Sequence, residues 1–237
     1  MKFQNQNGFA LAIMVPLLPV ILGFSLMSYA AIGFMQIDQK FKHTCRSGGL
    51  AGQEKASKQI EALLKLNPKA ANLIRDLRQA ERALKVAKNP AVQAAILVRI
   101  GIIQAAQHVL SIRQKQIILQ GNLALQSANQ STSSRLRKVG TELRDYDSIF
   151  TSKFLSHPRA APRLSVSPDG PDIAPIYRTD PDIETRQALV QSWQYDLSMP
   201  LNLRGFISGS FKFKKSCSVT VTAKGQSWIP KIHRDRF

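Results

Sequence analysis

GFALAIMVPLLPVILGFSLMSYAAIGFM, residues 8–35, runs for 28 consecutive positions without an Asp, Glu, Lys, Arg or His. At a rise of about 1.5 Å per residue, a helix of this length exceeds the roughly 30 Å hydrocarbon core of a bilayer and spans it with some tilt. A water-soluble helix keeps a polar face, and this stretch has none. The segment therefore predicts a single transmembrane helix. Its rival is a secretory signal peptide, which needs a shorter apolar region and a small-residue cleavage site such as Ser28-Tyr29-Ala30 loosely offers. The excess length favours a retained anchor.

Outward from this stretch, Lys2 is the one charge before it, and Asp38, Lys40, Lys42 and Arg46 follow. The chain has 237 residues and a net charge of +18, with an apolar fraction ordinary for a folded protein. Residues 36–155 hold 20 basic and 8 acidic side chains, so most of the excess lies there. Such a balance is that of a solvated basic surface, or of one that attracts a membrane surface, an anionic envelope polymer or lipid, or an acidic partner subunit. The basic residues are dispersed and the long basic segment has few aromatic rings on which bases would stack, which argues against nucleic acid. No feature calls for a small-molecule substrate.

Beyond the anchor, Gly48-Gly49 reads as the first interruption of helix. Ile60, Leu63, Leu64, Leu73, Ile74, Leu77 and Leu84 recur at spacings of three, four and seven, opposed by Lys, Arg and Gln, which is an amphipathic helical pattern. Asn67-Pro68 and Asn89-Pro90 cut it, because the residue before proline avoids the α region and proline suits a first turn. The pattern predicts helices at 50–66, 69–88, 91–120 and 122–150, with Asn129 to Ser134 (NQSTSS) as a polar break. The third is the most apolar, carrying Ile96, Ile100, Ile103 and Leu110. That face calls for a partner helix, inside the chain as a hairpin or bundle, or on another subunit. Arg99, Gln104, Gln107 and His108 oppose a second membrane span.

Residues 156–182 contain six prolines and no apolar period, the composition of a semi-rigid linker. From Trp193 the period becomes two: Trp193, Tyr195, Leu197 and Met199 alternate with polar residues, and residues 206–214 and 217–223 read as further strands split at Lys215-Ser216. Three or four such strands are marginal alone and are expected to pack on the helices. The two cysteines, Cys45 and Cys217, are either a disulfide, if this region is exported, or two unpaired thiols. In the chain-entropy picture a bridge closing so long a loop contributes about 4–5 kcal/mol, less strain.

No catalytic constellation emerges. The histidines at 43, 108, 157 and 233 are scattered, neither cysteine has a metal or redox spacing, and no glycine-rich phosphate motif occurs. His108 on an apolar helix reads as a packed core residue. Arg135, Arg137 and Lys138 form a basic run that suits a solvated face better than a phosphate site. Asp145 and Asp147 diverge on a helix, and Asp169, Asp172, Asp180 and Asp182 lack the spacing and closing glutamate of a calcium loop. The expectation is a protein without enzymatic activity, cofactor or metal.

The opening segment has a punctuation of its own: a polar leader MKFQNQN, Gly8, an apolar helix with Pro19 eleven residues on and Gly23 after it, the polar exit QKFKHTCR at 39–46, and the small-residue run SGGLAG at 47–52. In this it resembles the N-terminal segment of the TadE/TadG-like family of tight-adherence (Tad) pilus-assembly proteins, over roughly the first fifty-five residues. Gly8-Phe9 also resembles a type IV prepilin junction, a candidate peptidase site, although the fifth residue after it is Ile13 where that pattern has glutamate. The resemblance implies a bacterial inner-membrane protein with its leader in the cytoplasm and its bulk periplasmic or extracellular, packed against other pilus or secretion-system subunits. The distribution of basic residues alone weakly favours the opposite orientation, but long domains translocate largely regardless of charge.

The architecture expected is mainly α with a small C-terminal β-rich segment: leader 1–7, transmembrane helix 8–35, helical ectodomain 36–155, proline-rich linker 156–182 and antiparallel β-rich segment 183–237. Pro16 and Pro19 would kink the membrane helix, and Gly23, Ser28 and Gly33 would let other helices approach it closely. The function this implies is a structural component of a Tad-type pilus or related secretion apparatus. Alternatives are a membrane-tethered basic module that binds an anionic envelope polymer, or a secreted helical effector whose signal is removed.

Overall fold

A computed structural model describes residues 6–146, 151–156, 162–180, 189–203, 207–224 and 227–233. The order of elements is α1 (Gln6–Leu64), α2 (Asn67–Val86), α3 (Pro90–Tyr146), β1 (Thr151–Ser156), β2 (Val166–Asp169), β3 (Ile176–Thr179), β4 (Gln191–Leu203), β5 (Ile207–Lys224) and β6 (Ser227–His233). The chain divides into two compact units, Met1–His43 and Thr44–Phe237.

In the first unit, α1 remains helical through both Pro16 and Pro19, so neither proline ends it. Each removes a backbone hydrogen bond, a loss of a few kcal/mol that a helix without flanking support rarely tolerates. Large apolar side chains from Met14 to Met35 stand exposed along this stretch, including Leu18, Phe24, Met27 and Ile32. Among the described residues, two helical stretches have the length and apolar composition of a membrane span, one within Met14–Val86 and one within Pro90–Thr141. None of the first apolar window is buried, whereas 22% of the second is covered by the rest of the chain.

Three expected helix breaks are absent from the second unit. Gly48-Gly49 lies inside α1, and both the 120/122 division and the NQSTSS segment lie inside α3. Glycine in a helix is disfavoured by about 1 kcal/mol relative to alanine, so a reason must outweigh it. Here it is close approach between helices: Gly48 and Gly52, one turn apart on α1, sit directly against Thr132 and Ala128, one turn apart on α3. A Cβ at either glycine would overlap the facing side chain. The two asparagine–proline pairs do act as punctuation. Pro68 occupies the first turn of α2, and the Asn89 side chain accepts a hydrogen bond from the Ala91 amide at 2.9 Å, capping α3.

β1, β4, β5 and β6 form one antiparallel sheet in that order. β5 passes through Lys215 and Ser216 without interruption, pairing them with Tyr195 and Gln194 of β4. β1 follows the expected helix end at 150 and occupies the last residues of the segment 36–155 expected to be helical, with Ser156 opening the expected linker. The supposed linker is also structured: β2 and β3 pair from Val166↔Thr179 to Asp169↔Ile176, and Gly170 turns between them at a φ of 111°, a left-handed value that favours glycine. The alternation of prolines hid this hairpin because Pro168 sits within a two-stranded ribbon, where an edge position needs no amide donor.

The sheet packs on helices as a short sheet must. Ala56 and Ile60 of α1, Leu125 of α3, Leu164, Leu189 and Val221 of β5 form one buried cluster, bordered by Leu64, Val166 and Trp228. A second joins Ala70 of α2, Leu110 of α3 and Ala174 before β3.

A disulfide-clamped helical platform and its exposed seam

The second unit is held by a cross-link. Cys45 on α1 and Cys217 on β5 form a disulfide with their Cα atoms 6.5 Å apart. Cys217 pairs across the ladder with Trp193, whose ring is almost fully buried and whose indole N–H donates to Ser133 Oγ at 3.1 Å. Gly49, one turn beyond Cys45, lies under that ring: a Cβ there would be 2.6 Å from Val219 Cγ2 and 3.1 Å from Trp193 Cζ3. The bond, the indole and the missing side chain thus belong to one arrangement that presses α1 onto the sheet.

Side-chain amides tie the irregular segments to the helices. Gln53 Nε2 donates to the Leu189 carbonyl at 2.8 Å, Gln191 Nε2 to the Leu125 carbonyl at 2.7 Å, and Gln114 Nε2 to the Pro175 carbonyl at 2.9 Å. Asn122 Oδ1 accepts from the Leu164 amide at 2.8 Å. Asn67 binds Tyr177 twice, accepting from its amide at 3.0 Å and donating to its carbonyl at 2.8 Å, as a neighbouring strand would. Buried backbone groups need such partners, and glutamine and asparagine supply them without burying charge. Burial raises the Tyr177 phenol above its ordinary value. On exposed α1, the hydrogen bond from Lys58 lowers the Glu54 carboxyl, and the same contact raises the Lys58 ammonium.

These contacts determine which face of α3 is spent inside the chain. Ile103, Gln107, Leu110, Ser111, Gln114, Gly121 and Leu125 are buried. The apolar face expected to receive a partner is therefore partly used already: Ile103 and Leu110 are covered, Leu110 by Ala70 and Ala174, and Ile96 and Ile100 are half-buried. His108, expected in the core, is exposed on α3.

On the opposite side of α3 runs a second apolar line, made of Val98, Ile102, Ala105, Val109, Ile112, Leu119 and Leu123, with Gln116 in its course. Its large members are exposed by between 54% at Leu123 and 69% at Val109. The steps alternate between four and three residues, which keeps one narrow seam aligned along a helix. Arg99, Arg113, Lys115, His108, Gln120 and Gly101 border it, all exposed. Val92 and Leu97 add exposed apolar surface near its N-terminal end. The four-three alternation is legible in the sequence alone, beside the line of Ile96, Ile100 and Ile103.

Among the described residues, no group of three His, Cys, Asp or Glu side chains is placed to hold a metal ion. The acidic residues of this region face basic or hydroxyl partners instead: Asp169 pairs with Arg178 at 2.5 Å, Asp172 lies 3.9 Å from Arg78, and Ser165 Oγ donates to Asp180 at 2.5 Å. Arg135, Arg137 and Lys138 are exposed on α3. Of the residues expected to pack in a membrane helix, Pro16, Pro19, Gly23 and Ser28 are exposed, and a Cβ on Gly23 would meet nothing. Gly33 is half-buried. Gly8 and Phe9 belong to α1 by backbone only, and their side chains fall outside the described set, as do Lys2, Asp145, Asp147, His157, Asp182 and the side chain of His233. The chain matches no family model, no curated protein and no solved structure.

Proposed function

We propose that the protein is a non-enzymatic, membrane-anchored structural subunit of an envelope assembly, with α1 as its anchor and the second unit as an exported platform. The observation that carries this reading is the exposed stretch from Met14 to Met35, which displays large apolar side chains on all sides and buries none of its most apolar window. Water penalises each such side chain by roughly 1.5–3 kcal/mol relative to an apolar surrounding, and a bilayer removes that penalty. The disulfide supports export, because such bonds persist in oxidising compartments. The spacing of Gly8, Pro19, Gly23 and the 47–52 run supports a Tad-type pilus or related secretion apparatus as the assembly.

Two measurements test it. Membranes from cells making the full chain are extracted with alkaline carbonate; the protein is expected to stay in the pellet at full mass. Thiol labelling of intact spheroplasts with an impermeant maleimide is then expected to mark Cys45 and Cys217 only after reduction. Release into the carbonate supernatant removes the anchor, and labelling after reduction in detergent-lysed but not in intact spheroplasts places the platform in the cytoplasm, the lysed sample controlling for the burial of both cysteines. If deleting the gene leaves pilus assembly unchanged in a piliated strain, the assignment to that apparatus falls while the anchor stands.

A further inference from the structure

We propose that the exposed seam of α3 is a docking site for a helix of another polypeptide bordered by Asp and Glu, forming a two-stranded coiled coil. The seam lies wholly in the second unit, so the inference does not rest on the anchor. It begins at Ala95 and continues through Val98, Ile102, Ala105, Val109, Ile112, Gln116 and Leu119 to Leu123, four repeats of seven in which the steps of three and four never fail. An apolar pattern sustained over that many repeats matches knobs packing into the holes of a facing helix. A single polar residue within such a seam sets the register of the partner, and Gln116 occupies that place.

Charge decides what the partner is. From Arg82 to Thr141, sixty consecutive residues contain no carboxylate, while Arg99 and Arg113 line one edge of the seam and His108 and Lys115 the other. In a pair of identical seams packed along residues 95–123 these cations would find no acid, so a second copy gains nothing along its edges. A bilayer surface is the other candidate occupant, given the basic edges. Lipid-lying helices present a broad apolar face, however, whereas polar groups confine this one to a line between Arg99, Arg113 and Gln120 on one side and His108, Lys115 and Asn122 on the other. A narrow seam edged by one sign of charge is complementary to a helix edged by the other.

The test uses the full chain in neutral detergent micelles and two fluorescent synthetic peptides of four heptads. Both carry Leu at the core positions with one central Asn; one has Glu at every flanking position, the other Lys. The acidic peptide is expected to bind at least about tenfold more tightly than the basic one at low salt, a ratio that shrinks as salt rises. Reversing the edge with Arg99→Glu, Arg113→Glu and Lys115→Glu is expected to invert that preference, and all three are exposed, so the fold is retained. Val109→Lys with Ile112→Lys is expected to lose binding of the acidic peptide by about tenfold or more with an unchanged circular dichroism spectrum. Equal affinity for the two peptides, or binding of neither, overturns the proposal. So does sedimentation showing a dimer of the chain that Val109→Lys dissolves, or displacement of the acidic peptide by phosphatidylglycerol added to the micelles. Carbonate extraction reads the anchor and peptide preference reads the seam, so either reading fails without the other.

Discussion

Residues 14–35 of α1 and the seam of α3 both hold large aliphatic side chains in the open, yet they differ in width. Around α1 the apolar surface is continuous: Val15, Leu17, Leu18, Val20, Ile21 and Leu22 project in every direction. On α3 it is a single line, because the opposite face is bound to α2 and to the β2–β3 hairpin by Leu110 and Gln114. An all-round apolar helix suits a solvent that is itself apolar, and a line suits another helix. Exposure alone does not distinguish them. The angular distribution of polar neighbours does.

The largest expected effect comes from removing what makes α3 one-sided. Without the cross-link between Cys45 and Cys217, separated by 172 residues, the second unit loses up to about 5 kcal/mol in the chain-entropy model. Cys217→Ser is expected to lower the denaturation midpoint of the platform strongly, read by tryptophan fluorescence, since Trp193 lies beside the bond. An unchanged midpoint would mean that the disulfide does not hold the sheet to α1, and the buried face of α3 would need another support.

Charge insertion separates the two surfaces directly. Leu18→Arg with Leu22→Arg is expected to disfavour the bilayer by roughly 2.5–3.5 kcal/mol per residue, enough to move the chain from the carbonate pellet to the supernatant or to aggregates. Val109→Lys, equally exposed in the structure, is expected to leave that partition unchanged. Should Val109→Lys release the protein as well, both surfaces face lipid and the contrast is lost.

Glycine offers a finer version of the same comparison. A side chain at Gly52 would run into Ala128, whereas one at Gly23 meets nothing within the chain. Gly52→Val is expected to destabilise the second unit by about 1–3 kcal/mol through overpacking, measured by chemical denaturation, and Gly23→Val to leave it unaffected.

How much of this was legible in the sequence follows from which rules are local. Composition identified the uncharged stretch, apolar periodicity identified the α+β division and the period-two strands, and Asn-Pro marked two real helix starts because proline restricts its own neighbours. The pair Gly48-Gly49 misled because a helix interior glycine is decided by what packs against it, here Thr132, Trp193 and Val219, which are distant in sequence. The serine-rich segment before Arg135 misled for a related reason. Ser131 and Ser134 return their hydroxyls to carbonyls three residues earlier, at 3.1 and 2.9 Å, so polar side chains were satisfied without leaving the helix. The seam was legible by spacing, but which of two apolar faces of α3 remains outside depends on where α2 and the hairpin dock. Two cysteines offered one pairing, and only the fold could decide whether it formed.

The smallest effect concerns the hairpin that covers the inner face of α3. Tyr177 is partly buried, and that burial disfavours the phenolate, so its folded value lies above the ordinary one. A phenol with a raised folded value keeps its proton longer in the folded chain than in the unfolded chain. Stability from this group is therefore complete below the unfolded value near pH 10 and declines as pH rises through and beyond it. Because Tyr177 is held by Asn67 through its backbone, the loosening should be local: β3 leaves α2 while the disulfide-bound sheet persists. Hydrogen exchange across residues 166–179 between pH 9 and 11, corrected for intrinsic rates, is expected to accelerate in the parent chain beyond its effect in Tyr177→Phe, which has no proton to lose. Identical profiles in the two chains would show that the hairpin is fastened by Asn67 and Gln114 alone, and that the inner face of α3 stays closed whatever the charge on Tyr177.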